Sequence, residues 1–173
     1  MAFIFREVGR YHGQRTVLSY SGGLDSTVLL YHLRDLGDEV FPIAFRYPSK
    51  HNEMEIQAAT AICQELGLTL KVVDLSFLSS LVESGLMKGA GEITKDNVVV
   101  PERNTIFASI LIGYADSVKA DRISLANHAD DNAIFPDTRP EWVAAIRLTA
   151  YPWHNESDWS LCTVYGLGQE RDL

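Results

Sequence analysis

Cysteine is scarce: Cys63 and Cys162 are the only two in 173 residues. They stand far apart and form no Cys-x-x-Cys pair, which excludes a four-thiolate zinc site and a disulfide framework. Positive charge is also in deficit. Lys and Arg number 15 against 23 Asp and Glu, giving a formal net charge of −8. Such a surface repels a phosphate backbone over most of its area, so the expected partner is a small molecule and not a nucleic acid. No apolar run reaches the roughly 18 residues of a membrane span. The opening Met1-Ala2-Phe3-Ile4-Phe5-Arg6-Glu7 lacks the basic-then-apolar order of a signal peptide. No membrane partner is expected, and the location that fits is cytoplasmic. What is present is ordinary: 46% apolar and 22% charged residues, enough for one domain with a buried core.

From Thr16 onward strand-like and helix-like segments alternate. Thr16–Tyr20 is β-prone. Ser26–Leu36 reads as a helix stopped by Gly37. Val40–Phe45 reads as a strand, with Pro42 needing an edge or a bulge because it lacks a ladder donor. Glu53–Leu66 puts Ile56, Ala59, Ile62, Cys63 and Leu66 on one helical face before Gly67. Thr69–Leu75 is a third strand and Phe77–Leu86 a predicted helix. Met87–Asn97 is loop-like, and Val98–Pro101 is extended. Asn104–Val118 is a buried helix with Asn104 as its N-cap. Arg122–Ala126 is a fourth strand, and Asp137–Ala150 a last helix. This order predicts an α/β fold, a parallel sheet with helices on both faces. Residues 1–150 read as one nucleotide-binding domain. Residues 151–173 form a tail with no evident period.

The strongest local signal joins the first strand to the first helix: Ser21-Gly22-Gly23-Leu24-Asp25-Ser26. Gly22 and Gly23 let the backbone bend tightly and bring N–H groups close to an anion. Ser21 and Ser26 add hydroxyl donors, and the positive end of a helix points at the same spot. Asp25 makes sense as a ligand, direct or through water, for the Mg²⁺ that accompanies a nucleotide. A plain glycine turn would account for the glycines but not for the serines and aspartate around them. The pattern GxxxxGK[ST] is absent, and with it the lysine that reaches a γ-phosphate, which argues against ordinary γ-phosphoryl transfer.

This hexapeptide resembles the signature of the PP-loop ATP pyrophosphatases, whose fold is of the adenine nucleotide alpha-hydrolase type, Rossmann-like. The resemblance implies ATP cleavage between the α and β phosphates, with Ser21, Gly22, Gly23, Leu24, Asp25, Ser26 and Phe45 in the ATP site. Three later stretches resemble the 7-cyano-7-deazaguanine synthase family. The first is Phe45-Arg46-Tyr47-Pro48-Ser49-Lys50-His51-Asn52, where Tyr47, Lys50 and His51 match and Pro48 replaces a family glycine. The second is Val100-Pro101-Glu102-Arg103-Asn104, in which Arg103 suits bidentate capture of a phosphate or carboxylate. The third runs from Asn127 to Trp142, where Asp131, Pro136, Asp137, Arg139, Pro140 and Glu141 match, while Phe135, Thr138 and Trp142 stand for Tyr, Cys and Phe.

The resemblance covers about residues 16–147. It implies that ATP adenylates 7-carboxy-7-deazaguanine, that ammonia displaces AMP to give the amide, and that a second ATP converts the amide to the nitrile. Implied catalytic residues are Asp25, Arg103, Asp131 and Arg139. Implied substrate contacts are Lys50, His51, Arg103, Asn104, Asp131, Asp137 and Arg139, with Asp137 reading the N–H edge of a guanine-like base. Implied cofactors are ATP and Mg²⁺, and the resemblance leaves room for a homodimer. The family's segment after the last helix and its four-cysteine zinc site have no counterpart here, so zinc is not expected. With permitted codons, Thr163–Leu173 shifted by one base can read Val-Pro-Phe-Met-Asp-Trp-Ala-Lys-Ser-Glu-Ile, close to that segment. The expectation is a frameshift that ended the reading frame. Two other readings stand beside the synthase: a PP-loop tRNA-modifying thiolase, which needs catalytic cysteines near the loop, and a non-catalytic ATP-binding module.

Overall fold

Strands and helices alternate along the chain as β1 (Arg15–Ser19), α1 (Leu24–Asp35), β2 (Glu39–Arg46), α2 (Asn52–Glu65), β3 (Lys71–Asp74), α3 (Arg103–Val118), β4 (Arg122–Leu125), α4 (Pro140–Ala150) and β5 (Ser160–Thr163). This is a computed structural model, and it describes residues 13–47, 49, 51–81, 101–127, 135–150 and 160–163. The five strands are all parallel, in the order β3-β2-β1-β4-β5. Alternation along each strand sorts the core into two layers. Val17, Ile43, Phe45, Ile123 and Leu125 face α3 and α4. Leu18, Tyr20 and Val40 face α1 and α2, where Leu29, Leu30, Leu33, Ala59 and Cys63 close the second layer. Helices therefore cover both faces, as the alternating pattern requires. Among the described residues no helix is long and apolar enough to cross a membrane.

Several sequence expectations are refined. Pro42 lies inside β2, which is an interior strand, yet β3 begins to pair only at Ile43. The Ile43 carbonyl accepts from Tyr20 N–H at 2.7 Å and so points toward β1. Successive residues alternate sides, so Pro42's missing donor points to the side where β3 has not yet started. Asn104 is not the N-cap of α3: that position is Glu102, and the helix begins at Arg103. The last helix starts at Pro140, not Asp137. Asp137 lies in a separate 3-10 turn, Pro136–Thr138, followed by an extended Arg139. Proline at the first helical position keeps its predecessor out of helical geometry. Of the helix predicted over Phe77–Leu86, the structure describes a 3-10 turn at Ser76–Ser80, and residues 82–100 lie outside the described residues. Ser160–Thr163, in the stretch without a sequence period, supplies β5 and pairs with β4 from Arg122 to Leu125.

The N-terminal ends of the strands are fastened by buried charge. Asp38 Oδ2 accepts from Thr16 Oγ1 at 2.6 Å and is in contact with the Arg122 guanidinium, while Oδ1 accepts from Gln14 N–H at 3.0 Å. Arg122 Nε donates to Thr16 Oγ1 at 2.8 Å, and the two charged side chains are 3% and 0% exposed. At the opposite ends of the strands the order reverses direction between β1 and β4. A sheet of this kind leaves its ligand crevice there, beyond the strands' carboxyl ends.

Candidate functional site

The turn after β1 is tightly bent and packed against α2. Gly22 adopts φ +83°, and a Cβ at that position would lie 2.5 Å from the Glu55 carbonyl and 2.7 Å from the Ala59 nitrogen. Glycine is thus required twice, for its backbone angle and because the loop rests on the backbone of α2. Gly23 is the N-cap of α1, and no side chain caps that helix. The N–H groups of the first turn therefore keep their capacity for an outside acceptor. Ser21 and Ser26 hydroxyls lie 3.0 Å apart, and Ser26 Oγ also donates to the Gly23 carbonyl at 3.1 Å. One loop amide is partly engaged: Gly23 N–H donates to Ser21 Oγ at 3.2 Å, in an exposed position.

Ser21 and Ser26 open onto a cavity of about 210 Å³ at the carboxyl ends of the strands. Phe45 and Tyr47 at the end of β2 form one wall. The first turn of α2 contributes Asn52 and Glu55, the start of α3 contributes Arg103, Asn104 and Phe107, and the end of β4 contributes Asn127. The walls are held in place by their own hydrogen bonds. Asn52 donates through Nδ2 to the Phe45 carbonyl and accepts on Oδ1 from Tyr47 N–H, both at 2.9 Å. Phe45 and Phe107 stack with centroids 4.0 Å apart, and Tyr47 meets Phe107 edge-on. Two buried donors on residues lining the cavity, Arg103 Nε and Asn127 Nδ2, have no hydrogen-bond partner among the described residues. Buried donors are almost always satisfied, so a pair left over on residues lining one cavity is a feature to be accounted for.

Asn104 and Asp137 meet across 33 residues. Asn104 N–H donates to Asp137 Oδ2 at 2.8 Å, and Asn104 Nδ2 donates to the Asp137 carbonyl at 3.2 Å. Asp137 is 6% exposed. Its carboxylate caps the start of α3, in the place a local cap residue would serve. The preceding residue, Glu102, has φ +53°, and its carboxylate accepts from Thr105 Oγ1 at 2.6 Å. Thr105 Oγ1 in turn accepts from Trp142 Nε1 at 2.8 Å. The segment carrying Arg103 is therefore clamped by the segment that leads into α4. Asp137→Ala is expected to destabilise the chain by about 1–2 kcal/mol, the loss of a helix cap. Asp137→Asn, which keeps an acceptor, should recover most of it. Urea unfolding measures both, and equal losses for the two variants would contradict a capping role.

The sequence-predicted residues divide as follows. Ser21, Ser26, Phe45, Arg103 and Asn104 converge on the cavity. Gly22, Gly23, Leu24 and Asp25 belong to the loop and first turn beside it, with Leu24 and Asp25 exposed. His51 is exposed at the N-cap of α2, and Arg139 is exposed ahead of α4; neither lines the cavity. Lys50 and Asp131 lie outside the described residues. Asn52, Glu55 and Asn127 were not singled out from the sequence. Asn52 and Glu55 share one helical face just after a strand end, and that spacing is the signal available. Tyr20 is fully buried with its hydroxyl 3.2 Å from Thr27 Oγ1, and burial pushes its pKa up. Cys63 is buried in the core, which raises its thiol pKa as well. Among the described residues no three His, Cys, Asp or Glu side chains converge on a metal position. A single carboxylate such as Asp25 suffices for a magnesium ion that arrives with phosphates and water.

Residues 15–157 match the family model described as queuosine biosynthesis protein QueC. The chain is 40% identical over 167 residues to a 7-cyano-7-deazaguanine synthase from Methanoregula boonei, which covers 92% of this chain and 76% of that protein. It is 39% identical over 141 residues to a 7-cyano-7-deazaguanine synthase from Caldicellulosiruptor saccharolyticus, covering 77% of this chain but 62% of the relative's own length. Among solved structures, the U34-tRNA thiolase NcsA from Methanococcus maripaludis aligns with a TM-score of 0.58 at 18% identity, over 92% of this chain and 54% of that one. At that identity the likeness is one of fold.

Proposed function

This chain belongs to the QueC family, and from that premise we propose that it uses ATP to turn 7-carboxy-7-deazaguanine and ammonia into 7-cyano-7-deazaguanine. A carboxylate is a poor electrophile, and transfer of AMP to it makes one oxygen a leaving group. Pyrophosphate leaves into the cradle of Ser21–Ser26, where the uncapped start of α1 and the two serine hydroxyls offset its charge. Asp25 is the residue that would hold magnesium, and the ion would supply positive charge to offset that of the departing pyrophosphate. Arg103 faces the adenylated carboxyl group, and Asn127 supplies a second donor. Phe45, Tyr47 and Phe107 give the flat apolar wall that a purine-like ring needs. A thiolase reading finds no support in Cys63, which is buried in the core with its thiol pKa raised by burial.

The observation supporting this reading is that Ser21 and Ser26 share one cavity with Arg103 and Asn127, whose buried Nε and Nδ2 donors have no partner among the described residues. The test is a mass-spectrometric assay with ATP, Mg²⁺, ammonium and the 7-carboxy base. Nitrile should appear with two AMP per product. Asp25→Ala should lower the rate by about 100-fold, the usual scale for losing one electrostatic stabiliser of a transition state. ATP binding with no AMP release would instead leave a nucleotide-binding module.

A further inference from the structure

The proposed reaction sets a demand on protons, and the cavity meets it with one group. Nitrogen enters as ammonia with three N–H bonds and leaves in a nitrile with none, so the pocket must accept three protons per turnover. Among the described residues the cavity wall carries one carboxylate, Glu55, and one cation, Arg103. The wall also carries two phenols, Tyr20 and Tyr47. Tyr20 OH is engaged with Thr27, and Tyr47 OH accepts from Arg103 Nη1 at 3.4 Å. Asn52, Asn104 and Asn127 are not bases. Glu55 has neither an ion pair nor a hydrogen-bonded side-chain partner among the described residues: the nearby Arg46 is paired with Glu53 instead. Its position is rigid. The Glu55 carbonyl abuts Gly22, so the phosphate loop and the Glu55 backbone are in direct contact. The residue is only partly buried, which lets it pass a proton on to water between steps.

We propose that Glu55 is the proton acceptor for the ammonia-derived nitrogen in both halves of the reaction. The assignment rests on the synthase reading above. In the first half, the ammonia lone pair attacks the carbonyl carbon of the acyl adenylate. Glu55 takes one proton from the resulting ammonium adduct, the C–O bond to AMP breaks, and the amide forms. In the second half, the amide oxygen attacks the α-phosphorus of a second ATP and pyrophosphate leaves. The O-adenylated amide bears two acidic N–H protons, because its electrons are drawn toward the phosphate ester. Glu55 removes one and then the other, the C≡N bond forms, and AMP departs with the former amide oxygen. Arg103, across the cavity, faces the oxygen side of the same carbon.

The test separates adenylation from the steps that follow it. Exchange of labelled pyrophosphate into ATP, dependent on the 7-carboxy base and run without ammonia, reports formation of the acyl adenylate alone. Glu55→Gln is expected to keep this exchange within about threefold of the parent chain and to lose about 100-fold or more in amide and nitrile formation, as for removal of a general base. Glu55→Ala should regain part of that loss when formate is added, a response that a merely structural residue does not give. Glu55→Gln that makes nitrile at the parent rate overturns the assignment. So does a folded Glu55→Gln, with an unchanged melting temperature, that has lost the exchange as well, since Glu55 then serves the nucleotide. Absence of base-dependent exchange in the parent chain strikes instead at the synthase reading itself.

Discussion

Gly22→Ala is expected to lower the melting temperature by about 10 °C and to abolish ATP consumption. The added methyl group meets the α2 backbone at 2.5 Å and 2.7 Å, distances at which something must move. Neither contact is with a flexible side chain. The φ of +83° adds a second penalty for any residue with a Cβ. Backbone strain and overpacking together cost about 3 kcal/mol, and in a domain of this size each kcal/mol shifts the midpoint by roughly 2–4 °C. The neighbouring glycine should behave differently. Gly23 has φ −73° and ψ 170°, an extended geometry open to any residue. Among the described residues an added methyl would meet Ser21 Oγ, 3.3 Å away. Gly23→Ala should therefore keep its stability to within about 0.5 kcal/mol. It should lose about tenfold or more in ATP affinity, because the methyl crowds the serine hydroxyl that opens onto the cavity. Calorimetric melts and nucleotide titrations on the two variants distinguish the roles. A Gly22→Ala protein that melts and binds like the parent would contradict the packing described here.

Asp38→Ala is expected to be the most damaging change outside the site, at about 3–5 kcal/mol, the cost of leaving a buried charge unpaired. The Arg122 guanidinium, 3% exposed in the parent chain, would keep Thr16 as its partner among the described residues. Typical domains have only about 5–15 kcal/mol in hand. Asp38→Leu with Arg122→Met, which removes both charges and keeps apolar volume, should recover most of the loss. Urea unfolding of the two single variants and the double one gives the coupling directly. The folded fraction of each variant should keep the parent's affinity for ATP, because the pair sits at the ends of the strands away from the cavity. Additive single losses would show that the pair does not act as a unit.

The parts of the fold that could be read from the sequence are those written in short-range patterns. The strand ahead of Ser21, the helices stopped at Gly37 and Gly67, and the helix after Arg103 fall within one or two residues of expectation, because apolar spacing and turn residues lie next to each other in the chain. The loop Ser21–Ser26 was legible for the same reason. Long-range partners were not. Nothing local to Asn104 says that its N–H will be capped by Asp137, and nothing near Asp38 announces Arg122, 84 residues on. Asp137 was expected to read the substrate's base, while its Oδ2 is occupied by the backbone of α3. By itself Glu55 has no local pattern to mark it. Only the contact between Gly22 and α2 brings it to the cavity. β5 left no trace in the pattern although β3 and β4 are equally short, because Ser160-Leu161-Cys162-Thr163 has one aliphatic residue and no apolar pattern to read.

The centre of the sheet also fixes an order of assembly. Thr16 and Arg122, neighbours across the β1–β4 ladder, are 106 residues apart in the chain. The units from β1 to β3 fold back on consecutive segments and need no distant partner, whereas closing the β1–β4 pair carries the entropy of a very long loop. As the chain leaves the ribosome, the Ser21–Ser26 loop and α2 therefore emerge before Arg103 and Asn127. A nucleotide can stabilise only the late, closed state, so ATP is expected to guard the finished domain against unfolding without speeding its first collapse.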